Sequence, residues 1–599
     1  MTGAGSVGSR PSRFCRLSSE EHMTVAQTND FKIPKTPLAV RFSPSAVVPW
    51  FVIILTIGLV LLPLVPIGYQ ALLDRPLYDA GGKLTLKNLS DLFFDARFHA
   101  AVGNSLLFAV GATLIAQLMG VTAAVLVGRT NIAGKSLIIA LVVWPMLVSD
   151  LVKALGWSIM YGPAGYVTQF ASLNLGLPAW NLNSLGGMMI VGGISHAPLA
   201  YLFCIGAVRA MDPAIEDAAR TAGASRRTVL FRIALPLLRP ALIGSTFFNF
   251  IMCLETLSIP LIFGKPSGIM LFTTYIYMNS VQAVTQNYGI VAASSFLLLA
   301  VLLITVKLQR KMLGDTRRFI TVGSKAGRQK DFELGAFRWP VSIATLSVMI
   351  AAVGIPLLGV LLQAFAEFFS PLIPYAEVAT LDNFRYLWSR PIYTRALVNS
   401  LIISSVGAAV GVVLVFMIAA IVTRTRNKAG PALEAFAMLP RAVPGMIAGL
   451  GFFYAAVLFP PLGWTRGTLV ILIIAFIMRY LPLGLGTLMP SMMQVSADLE
   501  HSARTSGASW LKTMFHILLP ILKPSLLAAY TVLFLQFFKD YATAVFLYSP
   551  GTEILGTVML LLVWDGHTGA VAALATVQVL LTFAFIVTVG RLSKFKLYD

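Results

Sequence analysis

The chain has 599 residues, of which 57% are hydrophobic and only 12% charged, and its mean hydropathy is +0.81. Soluble globular proteins are nearer a quarter charged, so this composition excludes an ordinary soluble domain. The net charge of +20 raises nucleic acid as a partner, but the basic residues are divided among seven short segments without one footprint, which argues against it.

Apolar runs of about 20 residues, long enough to cross a bilayer as a helix, recur along the whole chain. They predict an all-α, polytopic membrane protein with about twelve transmembrane helices. The three cysteines, Cys15, Cys204 and Cys253, are widely spaced and indicate neither a disulfide framework nor a metal site. The predicted spans are residues 47–69, 101–127, 136–160, 186–208, 241–263, 288–306, 340–366, 396–422, 433–458, 467–489, 525–548 and 568–590.

The first 46 residues are polar and predict a disordered cytoplasmic tail, in which Met23 is an alternative start. No small-residue cleavage pattern follows the first span, so we interpret that span as an uncleaved anchor. With a cytoplasmic N-terminus, the inner segments hold 32 Lys and Arg residues and the outer loops hold nine. This asymmetry predicts a multi-pass protein of the bacterial inner membrane with both termini in the cytoplasm.

The sequence contains an internal repeat. Asn104-Ser-Leu returns as Asn399-Ser-Leu, 295 residues later, whereas Pro198 and Pro482 are 284 residues apart. The first copy therefore has 11 extra residues, which fall in an uncharged outer loop. Six spans in each copy predict two parallel repeats around a pseudo-twofold axis, an arrangement that some secondary transporters share. The predicted segments are a tail (1–46), a first span with its outside loop (47–100), repeat 1 (101–306), a cytoplasmic linker (307–339), a seventh span with its outside loop (340–395), repeat 2 (396–590) and a C-terminal tail (591–599).

The longest cytoplasmic loop of each repeat carries a shared pattern. Residues 212–241 read DPAIEDAARTAGASRRTVLFRIALPLLRPA, and residues 496–525 read SADLEHSARTSGASWLKTMFHILLPILKPS. Asp212 and Ser496 suit an N-cap, and Gly223 and Gly507 suit a helix C-terminus. Each loop therefore predicts a short helix, followed by a second one that stops near Pro236 or Pro520.

The first helix of each loop has one face of small residues. Ile215, Ala218, Ala219 and Ala222 share this face in the first loop, and Leu499, Ser502, Ala503 and Ser506 share it in the second. A helix lying on the bilayer would carry bulky apolar residues there. We therefore predict that the small face docks into a groove of another protein.

The pattern Glu-x-Ala-Ala-x-x-x-Gly, nine residues, then Ile-x-Leu-Pro resembles the loop of binding-protein-dependent ABC importer permeases. Residues from Glu216 to Pro236 fit it throughout. The second loop departs at His501 and Ser502, which predicts an asymmetric contact, but it keeps Glu500, Ala503, Gly507 and Pro520. In that family the loop is a coupling helix that docks on the ATPase subunit. The resemblance assigns ATPase coupling to Glu216, Ala218, Ala219, Gly223, Pro236, Glu500, Ala503, Gly507 and Pro520.

The resemblance implies that an ABC ATPase dimer binds the cytoplasmic face and that a periplasmic substrate-binding protein docks outside. The nearest match to a P-loop is Arg129–Ser136, where Arg replaces the first glycine. We therefore expect ATP on a separate subunit, no cofactor or metal on this chain, no enzyme activity of its own, and membrane lipid as its surroundings.

Ionisable residues inside spans usually face a partner or a wet cavity. Asp150, Lys153, Arg441 and Arg479 are such residues, and we interpret His196 as a helix-packing residue. Glu255 and Lys539 occupy equivalent positions, 284 residues apart, in spans that line the pathway of the family. We therefore place Glu255, Lys539 and Asp540 on the translocation path or at its gate. Glu255 either pairs with Lys539 across the pseudo-twofold axis, or each finds a local partner, which for Lys539 is Asp540.

The sequence thus predicts the fused transmembrane component of an ATP-driven importer. Fused two-copy permeases of this length resemble ferric-iron importers most, with polyamine, thiamine or phosphonate importers as alternatives. An ion-coupled secondary transporter is a second hypothesis, and a non-transporting scaffold or enzyme is a third, for which the sequence offers no site.

Overall fold

A computed structural model describes residues 44–79, 81–211, 218–219, 221–229, 232–233, 235–283, 286–313, 332–425 and 429–593. Most of the predicted N-terminal tail, the central part of the linker, the end of the C-terminal tail and Glu216 lie outside these residues. Within the described residues the fold is helical, and β-structure is limited to three isolated bridges. The predicted all-α class is confirmed.

The first half contains twelve α-helices within its described residues. They are α1 (Pro44–Ala71), α2 (Lys87–Phe94), α3 (Ala96–Arg129), α4 (Lys135–Val143), α5 (Asp150–Tyr161), α6 (Tyr166–Leu175), α7 (Leu185–Arg209), α8 (Arg226–Val229), α9 (Leu235–Leu237), α10 (Arg239–Glu255), α11 (Phe272–Ser280) and α12 (Tyr288–Leu313).

The described part of the second half contains fourteen α-helices. They are α13 (Arg338–Met349), α14 (Ile355–Ala364), α15 (Tyr375–Val378), α16 (Asp382–Ser389), α17 (Pro391–Arg424), α18 (Gly430–Met438), α19 (Gly445–Leu458), α20 (Leu469–Gln494), α21 (Asp498–Thr505), α22 (Trp510–Thr513), α23 (Leu519–Ile521), α24 (Lys523–Lys539), α25 (Leu555–Trp564) and α26 (Thr568–Ser593). Short 3₁₀ or π turns lie at Trp144–Met146, Pro260–Gly264, Lys265–Ser267, Gly335–Phe337, Ile350–Gly354, Leu439–Ala442, Pro460–Thr465, Met514–Leu518 and Ala544–Phe546.

Among the described residues, eight helices are long and apolar enough to cross a membrane, and four bent helix pairs raise the number of candidate spans to twelve. The number predicted from sequence is therefore confirmed, but four spans are not straight. The segments predicted as spans 136–160 and 433–458 bend by 112° and 111°, respectively. Pro145 and Pro440 lie in the 3₁₀ turns before these bends. Proline cannot donate the hydrogen bond that a continuing helix needs, so the α-helix ends there.

Each first span packs on the opposite half. Gly156 of α5 lies so close to Pro356 of α14 that an added Cβ would stand 3.0 Å from its carbonyl carbon. Gly451 of α19 meets Pro63 of α1 in the same way, at 2.9 Å. Gly156 and Gly451 are 295 residues apart, which is the repeat offset, and at both of them a helix from the other half approaches the backbone.

The repeat also includes the outer segments that precede residues 101 and 396. Asn88 of α2 donates hydrogen bonds to the carbonyls of Ala71 and Leu73, at 3.1 and 2.6 Å. Asn383 of α16 donates to Ala364 and Ala366 in the same pattern. Both asparagines tie an amphipathic outer helix to the end of its first span.

Corresponding helices pack together in the two repeat cores. In repeat 1, α3 packs against α7 and α10, and an added Cβ on Gly120 would meet the carbonyl oxygen of Ala197. In repeat 2, α17 packs against α20 and α24 in the same way. The charged residues of the candidate site lie where these cores face each other.

Candidate functional site

We call residues 212–241 and 496–525 the docking loops of repeats 1 and 2, because docking is predicted there. The docking loop of repeat 2 begins with a capped helix. The Ser496 hydroxyl accepts a hydrogen bond from the Asp498 backbone N–H at 3.2 Å, as expected of an N-cap. Gly507 has a φ of +83°, and the N–H of Ala508 donates to the carbonyl of Ala503 at 3.0 Å. This is the glycine-terminated helix end that the sequence predicts.

The docking loop of repeat 1 ends in the same way. Gly223 has a φ of +86°, and the Ala224 N–H donates to the Ala219 carbonyl at 2.9 Å. Ala218 and Thr221 are helical as well. The predicted N-cap Asp212 and the predicted coupling residue Glu216 lie outside the described residues.

The predicted small-residue faces are open to solvent over much of their area. In α21, Leu499 is 45% exposed, Ser502 is exposed and Ala503 is half-buried, and Ser506, directly after the helix, is exposed. In repeat 1, Ala218 and Ala222 are exposed and Ala219 is half-buried. Leu499 is an exposed apolar residue on a face that otherwise consists of small residues. Such a face permits the close approach of another protein.

Glu500 points away from this face. Its Oε1 lies 3.2 Å from Nε of Arg424, the last residue of α17, and both side chains are largely buried. The sequence-based interpretation, a negative charge that suits the first turn of a helix, missed this ion pair. The sequence contains one sign of a role for this arginine. Arg129 and Arg424 are 295 residues apart, which is the repeat offset, and each precedes the docking loop of its repeat.

The docking loop of repeat 2 ends in a bend, and that of repeat 1 ends in a short helix. The second short helix of repeat 2 continues past Pro520 to Ile521, and the chain then turns by 72° into α24. In repeat 1, α9 likewise passes Pro236 and ends at Leu237. Both helix ends thus lie one residue beyond the proline near which each helix is predicted to stop.

Glu255, at the C-terminus of α10, reaches into repeat 2. Nη2 of Arg479 donates to its Oε1 at 3.0 Å, and Nη1 donates to the carbonyl of Val443 at 2.7 Å. Nε of Arg479 also lies 3.8 Å from Oδ2 of Asp540. A carboxylate at a helix C-terminus opposes the helix dipole, so Glu255 depends on Arg479 for its charge compensation.

Asp540 is held by several donors from its own repeat. Its Oδ2 accepts from the hydroxyls of Tyr480 and Thr543, both at 2.8 Å, and its Oδ1 accepts from the Thr543 N–H at 3.0 Å. We call Glu255, Arg479, Tyr480 and Asp540 the acidic cluster, because two carboxylates share one guanidinium.

Lys539, at the C-terminus of α24, reaches into repeat 1 instead. Its Nζ donates to the carbonyl of Met146 at 2.5 Å. Nearby, Nζ of Lys153 lies 2.6 Å from Oδ1 of Asp150 and donates to the Ser195 carbonyl at 3.4 Å. We call Asp150, Lys153, His196 and Lys539 the basic cluster, because it contains two ammonium groups and one carboxylate, of which Lys153 and Asp150 form an ion pair.

Glu255 and Lys539 therefore do not pair in this structure, and Asp540 is not the partner of Lys539. Each of the two residues instead contacts a different group of the opposite repeat. The sequence could not show this, because Arg479 and Met146 are distant from both in the chain. The assignment of Glu255, Lys539 and Asp540 to the translocation path stays a prediction.

The two clusters occupy equivalent positions in the repeats. Arg479 and Tyr480 correspond, at the offset of 284, to Ser195 and His196. His196 is buried, and its Nδ1 lies 2.8 Å from the carbonyl oxygen of Gly192, which agrees with a helix-packing role. In the described part of the chain, no three His, Cys, Asp or Glu side chains converge as metal ligands.

Two further carboxylates lie outside the membrane helices: Glu553, which is buried, and Asp95, which is half-buried. Burial raises the pKa of Glu553, but its hydrogen bonds with Arg395 at 3.1 Å, together with backbone hydrogen bonds, hold the pKa below its ordinary value. Burial likewise raises the pKa of Asp95, and the hydrogen bond from Tyr275 at 2.8 Å, together with Arg97, lowers it on balance.

The chain matches a family twice. The family described as binding-protein-dependent transport system inner membrane component matches residues 116–312 and 411–595, one match in each repeat. The two matches cover the docking loops and the helices that carry both charged clusters.

Several curated proteins are similar over most of the chain. A ferric transport system permease protein of Actinobacillus pleuropneumoniae is 28% identical, over 81% of this chain and 70% of its own length. A putative ferric transport system permease protein of Haemophilus influenzae is 30% identical, over 71% of this chain and 66% of its own length. A probable ABC transporter permease protein of Sinorhizobium fredii is 24% identical, over 87% of this chain and 91% of its own length.

Proposed function

Because this chain belongs to the binding-protein-dependent transport system inner membrane component family, we propose that it forms the membrane path of an ATP-driven importer for ferric iron. The observation that carries this proposal is the duplicated docking loop, whose small-residue helix face is exposed in both repeats. Two relatives named as ferric transport permeases support ferric iron as the cargo.

We place the ATPase on separate subunits, one under each docking loop. The helix faces that contain Ala218 and Ala503 would contact them, and Gly223 and Gly507 would end each docking helix sharply enough for the chain to return to the membrane. A substrate-binding protein would deliver the cargo to the outer face. The excess of Lys and Arg on one set of loops supports cytoplasmic termini.

The acidic and basic clusters would form the gate between the repeats. Glu255 and Lys539 end the helices that follow the docking loops, and each contacts the opposite repeat. A displacement of a docking loop would therefore move these contacts. Charged groups that change partners can switch a path between two access states, because each state then has its own set of contacts.

The proposal is tested by uptake into proteoliposomes that contain the chain, its ATPase and its binding protein. We expect uptake of radioactive ferric iron that requires ATP and the binding protein. Uptake of a polyamine, thiamine or a phosphonate in place of iron would refute ferric iron as the substrate. Uptake by the chain alone, driven by an ion gradient, would refute the ATP-driven mechanism and support a secondary transporter.

A further inference from the structure

We propose that Arg424 is a positioning residue that fastens the docking helix of repeat 2 to two membrane helices. Motion of the docking helix would then reach α17 and α20 directly, and not only through the chain that follows the loop. This inference rests on the proposed docking of an ATPase at α21.

Arg424 joins three helix ends. It is the last residue of α17, and its Nη2 donates hydrogen bonds to the carbonyl of Met492 and, at 2.7 Å, to that of Val495, at the C-terminus of α20. Its Nε lies 3.2 Å from Oε1 of Glu500, in the first turn of α21. The Arg424 side chain is 8% exposed and that of Glu500 is 12% exposed.

The chemistry of arginine suits this position. The last carbonyls of a helix have no partner within the helix, and a cation near them is favoured by the helix dipole. A guanidinium carries five N–H donors in a fixed fork, so it can hold two carbonyls and a carboxylate at once. A lysine would keep the charge but would lose the fixed directions of these contacts.

The alternative route for motion is less direct. From α21 the chain runs through α22, a π turn and α23, and it bends by 72° before α24. The Arg424 contacts avoid this bend, because they connect the start of α21 with α17 and α20. Both of these helices pack against α24, so a pull on Arg424 moves the three-helix core of repeat 2.

Repeat 1 has one of these contacts at the equivalent arginine. Nη1 of Arg129, at the end of α3, donates to the carbonyl of Met211 at 3.3 Å. Arg129 and Met211 correspond to Arg424 and Val495 at the repeat offsets. An arginine therefore joins the ends of the first two core helices just ahead of the docking loop in both repeats, which supports a role at this position.

The first test measures the contact itself on the purified full-length chain, without any partner. In Arg424→Gln we expect amide exchange in residues 498–505 to be about tenfold faster, because Glu500 loses its ion-pair partner. Glu500→Gln should give a similar increase. The double variant should exchange no faster than Arg424→Gln, because the two side chains act on each other.

The second test measures transport in the reconstituted complex. We expect Arg424→Gln to hydrolyse ATP while the amount of iron taken up per ATP falls at least severalfold, with partial rescue in Arg424→Lys. The matched control is Arg395→Gln, which removes an arginine ion pair at the other end of the same helix. It should leave the uptake per ATP unchanged.

Wild-type exchange rates in Arg424→Gln would refute the contact, and an unchanged uptake per ATP would refute its role in transmission. A complex in which the wild-type chain takes up no iron would instead refute the proposed function. The exchange measurement needs neither ATPase nor cargo, so it still decides whether Arg424 holds the docking helix.

Discussion

The cores of the two repeats share a backbone plan but are filled in different ways. Along one face of α10, repeat 1 has Ser245, Asn249 and Cys253. At the equivalent positions of α24, 284 residues later, repeat 2 has Ala529, Leu533 and Phe537. A polar stripe in one half thus corresponds to an apolar stripe in the other.

The facing helices follow the same division. Thr113 and Gln117 of α3 face the polar stripe, and the Ser245 hydroxyl donates to the Gln117 side-chain oxygen at 3.1 Å. Asn249 is fully buried, and neither its amide nitrogen nor its oxygen has a hydrogen-bond partner among the described residues. At the positions of Thr113 and Gln117, α17 has Ala408 and Val412.

Repeat 2 makes room for its larger side chains with glycines. An added Cβ on Gly407 would stand 2.9 Å from the ring of Phe537, and one on Gly411 would stand 3.2 Å from Leu533. Repeat 1 has Ala112 and Ala116 at these places, opposite smaller polar side chains. The total volume is therefore similar, which is how two sequences can maintain one fold.

The difference indicates how each inner helix is held. Helix association within a membrane depends on close packing and on hydrogen bonds between helices. α24 is held by interlocking apolar side chains, whereas α10 has an unpartnered buried amide and depends on Glu255 at its end. We therefore expect α10 to be the more easily displaced of the two helices that follow the docking loops.

The largest effect is expected from Arg479→Gln. This change leaves the carboxylates of Glu255 and Asp540 buried without their shared cation, which destabilises a protein by about 3–5 kcal/mol. It should lower the thermal unfolding midpoint and abolish iron uptake. Lys153→Gln is the matched change in the basic cluster, and its effect should be smaller because Asp150 is 45% exposed there. Equal effects of the two changes would contradict the difference between the clusters.

The next largest effect is expected from Leu533→Asn, which places the repeat 1 residue in repeat 2. The new amide is buried among apolar side chains, and the Leu packing against Gly411 is lost. We expect a destabilisation of about 2–4 kcal/mol, measured as a lower unfolding midpoint in detergent. Leu533→Met is the control that keeps the volume, and it should change the midpoint little. A midpoint near that of wild type for Leu533→Asn would show that packing does not hold α24.

Sequence reasoning predicted the fold well because its signals are local. Hydropathy gave the spans, and Gly223 and Gly507 gave the ends of the docking helices, since both depend on neighbouring residues only. The charged contacts were missed because they join distant parts of the chain. Arg479 and Glu255 are 224 residues apart, and no periodicity indicates that they meet. The bends after Pro145 and Pro440 were missed because the apolar composition continues through them.

A smaller effect of opposite sign is expected from Asn249→Leu, which gives repeat 1 the residue of repeat 2. Removing two unpartnered polar atoms should stabilise the protein by about 1 kcal/mol. If α10 has to move during transport, the same change should slow iron uptake while the unfolding midpoint rises. Asn249→Asp is a useful contrast, because it keeps the shape but adds a buried charge and should destabilise. A destabilised Asn249→Leu variant would show that the amide has partners and that the polar core is well packed.

The smallest effect concerns the outer ends of α17 and α3. In the folded protein the pKa of Glu553 lies below its ordinary value, so its carboxylate contributes stability above that ordinary value and loses it as the pH falls through the folded pKa. Arg395→Gln removes the main cause of this lowering. Because Arg395 is 44% exposed, we expect a loss of no more than about 1 kcal/mol at neutral pH and none at a pH where Glu553 is protonated in both proteins. Unfolding midpoints of both proteins, measured from pH 7 down to pH 3, show whether the difference in stability disappears at low pH. Tyr275→Phe, which removes the donor to Asp95, should give the same pH pattern with a different unfolding midpoint. In either variant, a difference from wild type that does not change with pH would show that the effect comes from packing and not from the carboxylate.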